Sequence, residues 1–135
     1  MKVLIFFALI ATICLPLVEN RCRTTGASFG SSPNRAFATQ LLPDVCREFQ
    51  GTYGPNQDKT ICRNGRDRDT SFRYYIKHVS GGYRNIDSTE CTDGLNKEIV
   101  NCDRGGKTAY GNWEYRSVSL ILFNYIMSDP LTSHR

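Results

Sequence analysis

The 135-residue sequence predicts one α+β domain: two main helices on a small antiparallel sheet, compact and stapled by disulfides. Three observations carry that expectation. The run Thr70–Val79 alternates apolar and polar residues with a period of two. Two other stretches repeat apolar residues at helical spacing. Cysteines follow a leader of the exported type. The length allows one modest core and is too short for two.

In chain order, Lys2 precedes an apolar stretch from Val3 to Val18, a signal-peptide pattern shorter than a membrane span needs. Residues 1–20 are read as the signal, cut near Asn20, so Cys14 leaves with it. Cys22, Cys46, Cys62, Cys91 and Cys102 remain as a disulfide framework. Their odd number means either one free or intermolecular thiol or a sixth cysteine that this sequence has lost. The next element is a helix with Ser32 as N-cap and Pro33 in its first turn, and Phe37, Leu41, Val45 and Phe49 fall on one face. Pro43 interrupts it, which predicts a kink or two short helices meeting near Leu42. Gly54-Pro55-Asn56 then marks a turn between two extended pieces, with Cys62 in the second.

The clearest strand follows, with Phe72, Tyr74 and Ile76 on one face and Arg73, Tyr75 and Lys77 on the other. A turn at "SGGYRN" leads to a helix capped by Asp87 or Ser88, with Glu90 in capping-box register and Gly105-Gly106 as its stop. Cys91, Leu95, Ile99 and Cys102 share one stripe of that helix. At about 1.5 Å of rise per residue the two thiols stand roughly 16 Å apart, so each needs a partner elsewhere. "KTAYGNWEYRS" reads as a final strand, with Ala109, Gly111, Trp113 and Tyr115 against Tyr110, Asn112, Glu114 and Arg116.

Composition excludes several function classes. A net charge of +4 suits weak attraction to anionic glycans or membranes and forms no nucleic-acid stripe. In "CRNGRDRD", Asp67 and Asp69 offset Arg63, Arg66 and Arg68, giving a solvated turn. There is no Cys-x-x-Cys, no His-x-x-x-His and no cofactor motif, so neither a metal nor a cofactor is expected. A hydrolase would draw on His78, His134 and Glu90. A glycosidase would need two of Asp58, Asp69, Glu90, Glu98 and Glu114, all of which read as surface carboxylates. No spacing raises either set above ordinary surface chemistry. Seven Tyr and one Trp, several beside Asn, Asp and Arg, instead match sugar recognition, in which a flat ring covers the pyranose and polar groups bond its hydroxyls. Trp113 and Tyr115 read first as core residues, and Tyr75 and Tyr83 as exposed. The candidate glycan contacts are Tyr75, Tyr83, Trp113 and Asn112.

"ECTDGLNKEIVNCDRGGKTAYGNWEYRS", taken whole, resembles small secreted fungal glycan-binding proteins of the Y-three type, which run helix, Asn-Cys, Gly-Gly and a Trp-centred strand. "RCRTTGASFG", "GTYGPNQDKTICRN" and the Phe72–Val79 strand agree, so the resemblance covers Arg21 to Ser117. It implies an α/β/α-type sandwich, glycan binding without catalysis, and six cysteines in three disulfides. Cys91, Leu95, Glu98, Cys102, Gly105, Gly106 and Trp113 are the motif positions, and they look structural. Such a family continues after "WEYRS" into an Asp-Pro-Asn segment and a closing Cys. Residues 118–135 read instead as a translated intron, with Val118-Ser119 encodable by a donor GTGAGT, Leu131-Thr132 by a branch site CTAAC and His134-Arg135 by an acceptor CACAG. The alternative is a genuine apolar strand, "VSLILFNYIM", with Ser128-Asp129-Pro130 as a displaced family ending.

The expectation is therefore an extracellular lectin-like protein whose partners are glycans or glycoproteins, with no nucleic acid and no stable membrane insertion once the signal is cut. A homodimer through an exposed edge strand would make binding bivalent. The alternative is a cysteine-rich effector or killer-toxin-like protein acting on a protein or membrane target.

Overall fold

The computed structural model describes residues 21–24, 28–29, 32–67 and 69–121. The expected signal peptide, Cys14, Arg68, His134 and residues 122–135 lie outside the described residues.

Among the described residues are three helices, α1 (Ser32–Gln40), α2 (Leu42–Phe49) and α3 (Ser88–Val100). The strands are β1 (Arg21–Cys22), β2 (Gly51–Tyr53), β3 (Asp58–Asn64), β4 (Thr70–His78), β5 (Arg84–Ile86), β6 (Gly106–Tyr110) and β7 (Trp113–Ile121). A five-stranded antiparallel sheet has the order β1-β6-β7-β4-β3, and β2 and β5 make a second antiparallel pair. This is the expected α+β class with small antiparallel sheets and disulfide staples.

Pro43 divides the first helical stretch as its missing N–H requires: α1 ends at Gln40 and α2 begins at Leu42 with the proline in its first turn. The Leu41 and Val45 amides still donate to the Phe37 and Leu41 carbonyls, so the two helices stay nearly continuous. Leu42, Val45, Cys46 and Phe49 are buried along α2. On α3, Asp87 is the cap, its carboxylate accepting from the Glu90 amide at 2.8 Å.

The α3 stop differs from expectation. The helix closes at Val100 with Asn101 as C-cap, so Cys102 stands just beyond it. Gly105 serves another need: its φ is +74°, and a Cβ there would lie 1.9 Å from the Ser117 carbonyl oxygen. The two thiols nevertheless take separate partners, Cys46–Cys91 tying α2 to α3 and Cys22–Cys102 tying β1 to the end of α3.

Two further corrections concern the last strand and the framework. "KTAYGNWEYRS" is not one strand but a hairpin, since Tyr110 pairs with Trp113 across Gly111-Asn112. Gly111, at φ +56°, supplies the positive angle that a two-residue hairpin loop demands. Cys62, counted with the disulfides, is free and exposed. Its neighbour Ile61 points into the core, so alternation turns the Cys62 thiol away from the helices and from both bridges.

The register sorts the sheet into two faces. Phe72, Tyr74, Ile76 and His78 of β4 lie opposite Ser119, Ser117, Tyr115 and Trp113 of β7, and all eight are buried. Every described helix packs on this face: the Tyr74 hydroxyl donates to the Ala38 carbonyl at 2.8 Å, the Ser117 hydroxyl to that of Leu95 at 3.1 Å, and Phe37 and Phe72 are in ring contact. No described helix lies on the other face, where the second helical layer of an α/β/α sandwich would sit. β7 also runs past Ser117, with Val118–Ile121 paired to Thr70–Arg73 and Val118 and Ser119 buried.

Candidate functional site

The open face of the sheet gathers polar side chains from four strands. Asp58 and Thr60 come from β3, Arg73, Tyr75 and Lys77 from β4, Glu114 and Arg116 from β7, and Lys107 from β6, all placed there by the alternation and register. At the centre stands Tyr75, half-buried. Its hydroxyl donates to Asp58 Oδ2 at 3.2 Å, and the Arg116 guanidinium lies 5.1 Å from its ring centroid. Partial burial, then the bond to Asp58 and the charges of Asp58 and Glu114, push the phenol up to about 12. It is therefore a neutral donor across the physiological range. Lys107 and Glu114 pair across the hairpin at 3.4 Å. A flat ring is thus bordered by two carboxylates and several cations.

The four expected sugar contacts do not converge. Tyr75 is on the open face. Trp113 is on the other, 1% exposed, edge-on to Tyr53 at 5.3 Å and beside His78 at 5.1 Å, so it is core and cannot reach a ligand. Asn112 sits in the hairpin loop, where its carbonyl accepts from the Val79 amide. Tyr83, 80% exposed, lies over Gly54 at the same end of the sheet. Asn112 and Tyr83 therefore flank one end of the sheet, and only Tyr75 belongs to the polar face.

The hydrolase candidates are also separated. His78 is buried, with Nδ1 on the Gly54 carbonyl and Nε2 on the Ser80 hydroxyl, both at 2.8 Å, so both ring nitrogens are engaged in structure. Glu90 is exposed on the first turn of α3 and lines a different cavity. Among the carboxylates read as surface groups, Glu98 is buried. Desolvation raises its pKa and a hydrogen bond with Thr108 opposes that rise. The basic cluster is also neutralised differently than expected. Arg63 pairs with Glu48 and the Arg66 guanidinium lies 4.9 Å over the Phe37 ring, while Asp67 accepts from the Asp69 amide.

A second concave region, about 250 Å³, lies on the helix side between α3 and the β6–β7 hairpin. Glu90, Asp93, Gly94, Lys97, Tyr110 and Tyr115 line it. The sequence pattern hides it, because one continuous strand would set Tyr110 on the opposite face from Trp113 and Tyr115, whereas the hairpin puts all three on the same face. The Gly-Asn pair between alternating runs is the signal that would have placed Tyr110 beside Tyr115. Among the described residues no group of three or more His, Cys, Asp or Glu side chains is placed to hold a metal ion, and no helix is long and apolar enough to cross a membrane.

Compared with protein-family models and with curated proteins, the chain matches none.

Proposed function

We propose that this is a secreted lectin-like protein that binds extracellular glycans without catalysis, through the open face of its sheet. The observation that carries the reading is Tyr75, a half-exposed ring bordered by Asp58, Glu114, Lys77 and Arg116. A pyranose laid on that ring would find carboxylates to accept from its hydroxyls and cations to donate to them. Export is supported by the Lys2 and Val3–Val18 leader pattern, and two disulfides suit an oxidising compartment. The absence of catalysis is supported by the engagement of both His78 ring nitrogens. β3 lies at a sheet edge, and a second copy paired there would double the face.

A second reading is favoured by charge. Arg73, Lys77, Lys107 and Arg116 outnumber Asp58 and Glu114 on the same face, which suits a cysteine-rich effector acting on an acidic protein or anionic membrane. A glycan array probed with the oxidised, folded protein separates the two. Selective signals that a matching free sugar abolishes, and that Tyr75→Ala weakens, are the expected result. A blank array from folded protein overturns the lectin reading and leaves the effector.

A further inference from the structure

The cavity between α3 and the β6–β7 hairpin is on the opposite side of the sheet from Tyr75, and the proposed glycan face does not use it. Its floor is Tyr115, 2% exposed. The ring fits beneath α3 because position 94 is glycine: a Cβ there would stand 2.4 Å from two atoms of that ring. The hydroxyl has no hydrogen-bond partner among the described residues, and it is not sealed in the interior as the unpaired Arg35 Nε and Ser119 Oγ are, so it opens into the cavity. A phenol O–H left unpaired at the base of a cavity is a group held ready for something that enters it.

The walls say what kind of molecule. Asp93 is paired with Lys97 at 3.1 Å, and that ammonium also lies 4.7 Å from the Tyr110 ring centroid, so both are committed to each other and to the wall. The Glu90 carboxylate lines the cavity with no cation paired to it among the described residues. Asp87, Glu90 and Asp93 all act on the Tyr115 phenol, raising its pKa beyond what burial alone does. The cavity is thus a negative spot on a chain of net charge +4. Its volume of about 250 Å³ is below the range that holds drug-sized ligands and leaves room for a single ring.

We propose that this cavity is a binding site for one sugar ring bearing a free amino group, with Glu90 accepting from the ammonium and the Tyr115 hydroxyl bonding a ring hydroxyl. An ammonium supplies the charge that Glu90 lacks, and sugar hydroxyls supply partners for a phenol that has none. The site is independent of the sheet-face reading and stands or falls without it.

The test is a chemical-shift titration of the full oxidised protein with glucosamine, glucose and N-acetylglucosamine, at a pH below the amine's own pKa. Saturable shifts at Tyr110, Tyr115 and the first two turns of α3 are expected with glucosamine alone. Tyr115→Phe and Glu90→Gln should each weaken binding roughly tenfold, the worth of one hydrogen bond to a charged or polar ligand group. Tyr115→Phe should do so with an unchanged melting temperature, because no internal bond is lost. Arg116→Ala, on the opposite face, should bind glucosamine as the parent does. No saturable response, an equal response to glucose, full affinity in Tyr115→Phe, or a drop in that variant's melting temperature would each overturn the proposal.

Discussion

Two residues adjacent in sequence, Tyr74 and Tyr75, stand on opposite faces of one strand and live in different solvents. On the covered face, most polar groups have fixed partners inside the protein, the buried Ser119 hydroxyl being an exception. Tyr74 donates to the Ala38 carbonyl, His78 uses both ring nitrogens, and Ser117 donates to the Leu95 carbonyl. On the open face, the contacts among the described residues link Tyr75 with Asp58 and Arg116, and Lys107 with Glu114. Buried polar groups are costly to leave unpaired, so evolution of the covered face is constrained by folding. The open face can exchange its contacts for those of a ligand at little energetic cost. The Tyr115 hydroxyl also departs from this division, being a covered-face polar group that has no partner among the described residues but opens into a cavity, where the Ser119 hydroxyl is sealed.

The largest effect expected on the covered face is at its biggest side chain. Trp113→Ala removes a fully buried indole that touches Tyr53 and His78, and should destabilise the protein by about 3–5 kcal/mol in urea unfolding. A loss below about 1 kcal/mol, the scale of surface changes, would return Trp113 to the list of ligand contacts. Next is the bridge that holds the cover in place. Cys91→Ala opens the link between α2 and α3, closed across a sequence separation of 45 residues, and should lower stability by about 2–5 kcal/mol. An unchanged melting curve would mean that the helices hold to the sheet by packing alone.

The same contrast governs what could be read from sequence. β4 was legible because its period-two pattern is local and one face of it is uniformly apolar. The break between α1 and α2 was legible because Pro43 acts on its own backbone. The hairpin was not, for a physical reason: two loop residues put Tyr110 opposite Trp113, so the parity of the alternation flips at Gly111-Asn112. Without that flip Tyr110 would stand on the face away from Tyr115, and the cavity the two line would not form. Glu98 reads as a surface group by residue type, yet it falls three residues after Leu95 on the buried stripe of α3. For the glycan candidates, alternation placed Tyr75 correctly, while Trp113 showed its aromatic chemistry without its burial, which depends on Tyr53 and His78 arriving from distant segments.

The smallest expected effects sharpen the comparison most, because they come from one chemical change at two neighbouring positions. Tyr74→Phe deletes a buried hydroxyl and leaves the Ala38 carbonyl without that donor, which should cost about 1 kcal/mol in stability. Tyr75→Phe deletes a bond to an exposed carboxylate and should change stability by less than about 0.5 kcal/mol, while weakening any glycan that uses the phenol. Alkaline pH separates them further. Both phenols are raised in the folded protein, mainly by burial, Tyr75 to about 12 and Tyr74 more strongly. A raised folded pKa stabilises the native state below the unfolded value near 10, and that contribution is lost as pH climbs toward the folded value. Stability of the parent should therefore decline from pH about 10 upward, and each Phe variant should flatten part of that decline, Tyr74→Phe more than Tyr75→Phe. Equal flattening by the two, measured as melting temperature against pH, would mean that the two faces desolvate their phenols alike and that the open face is covered in solution.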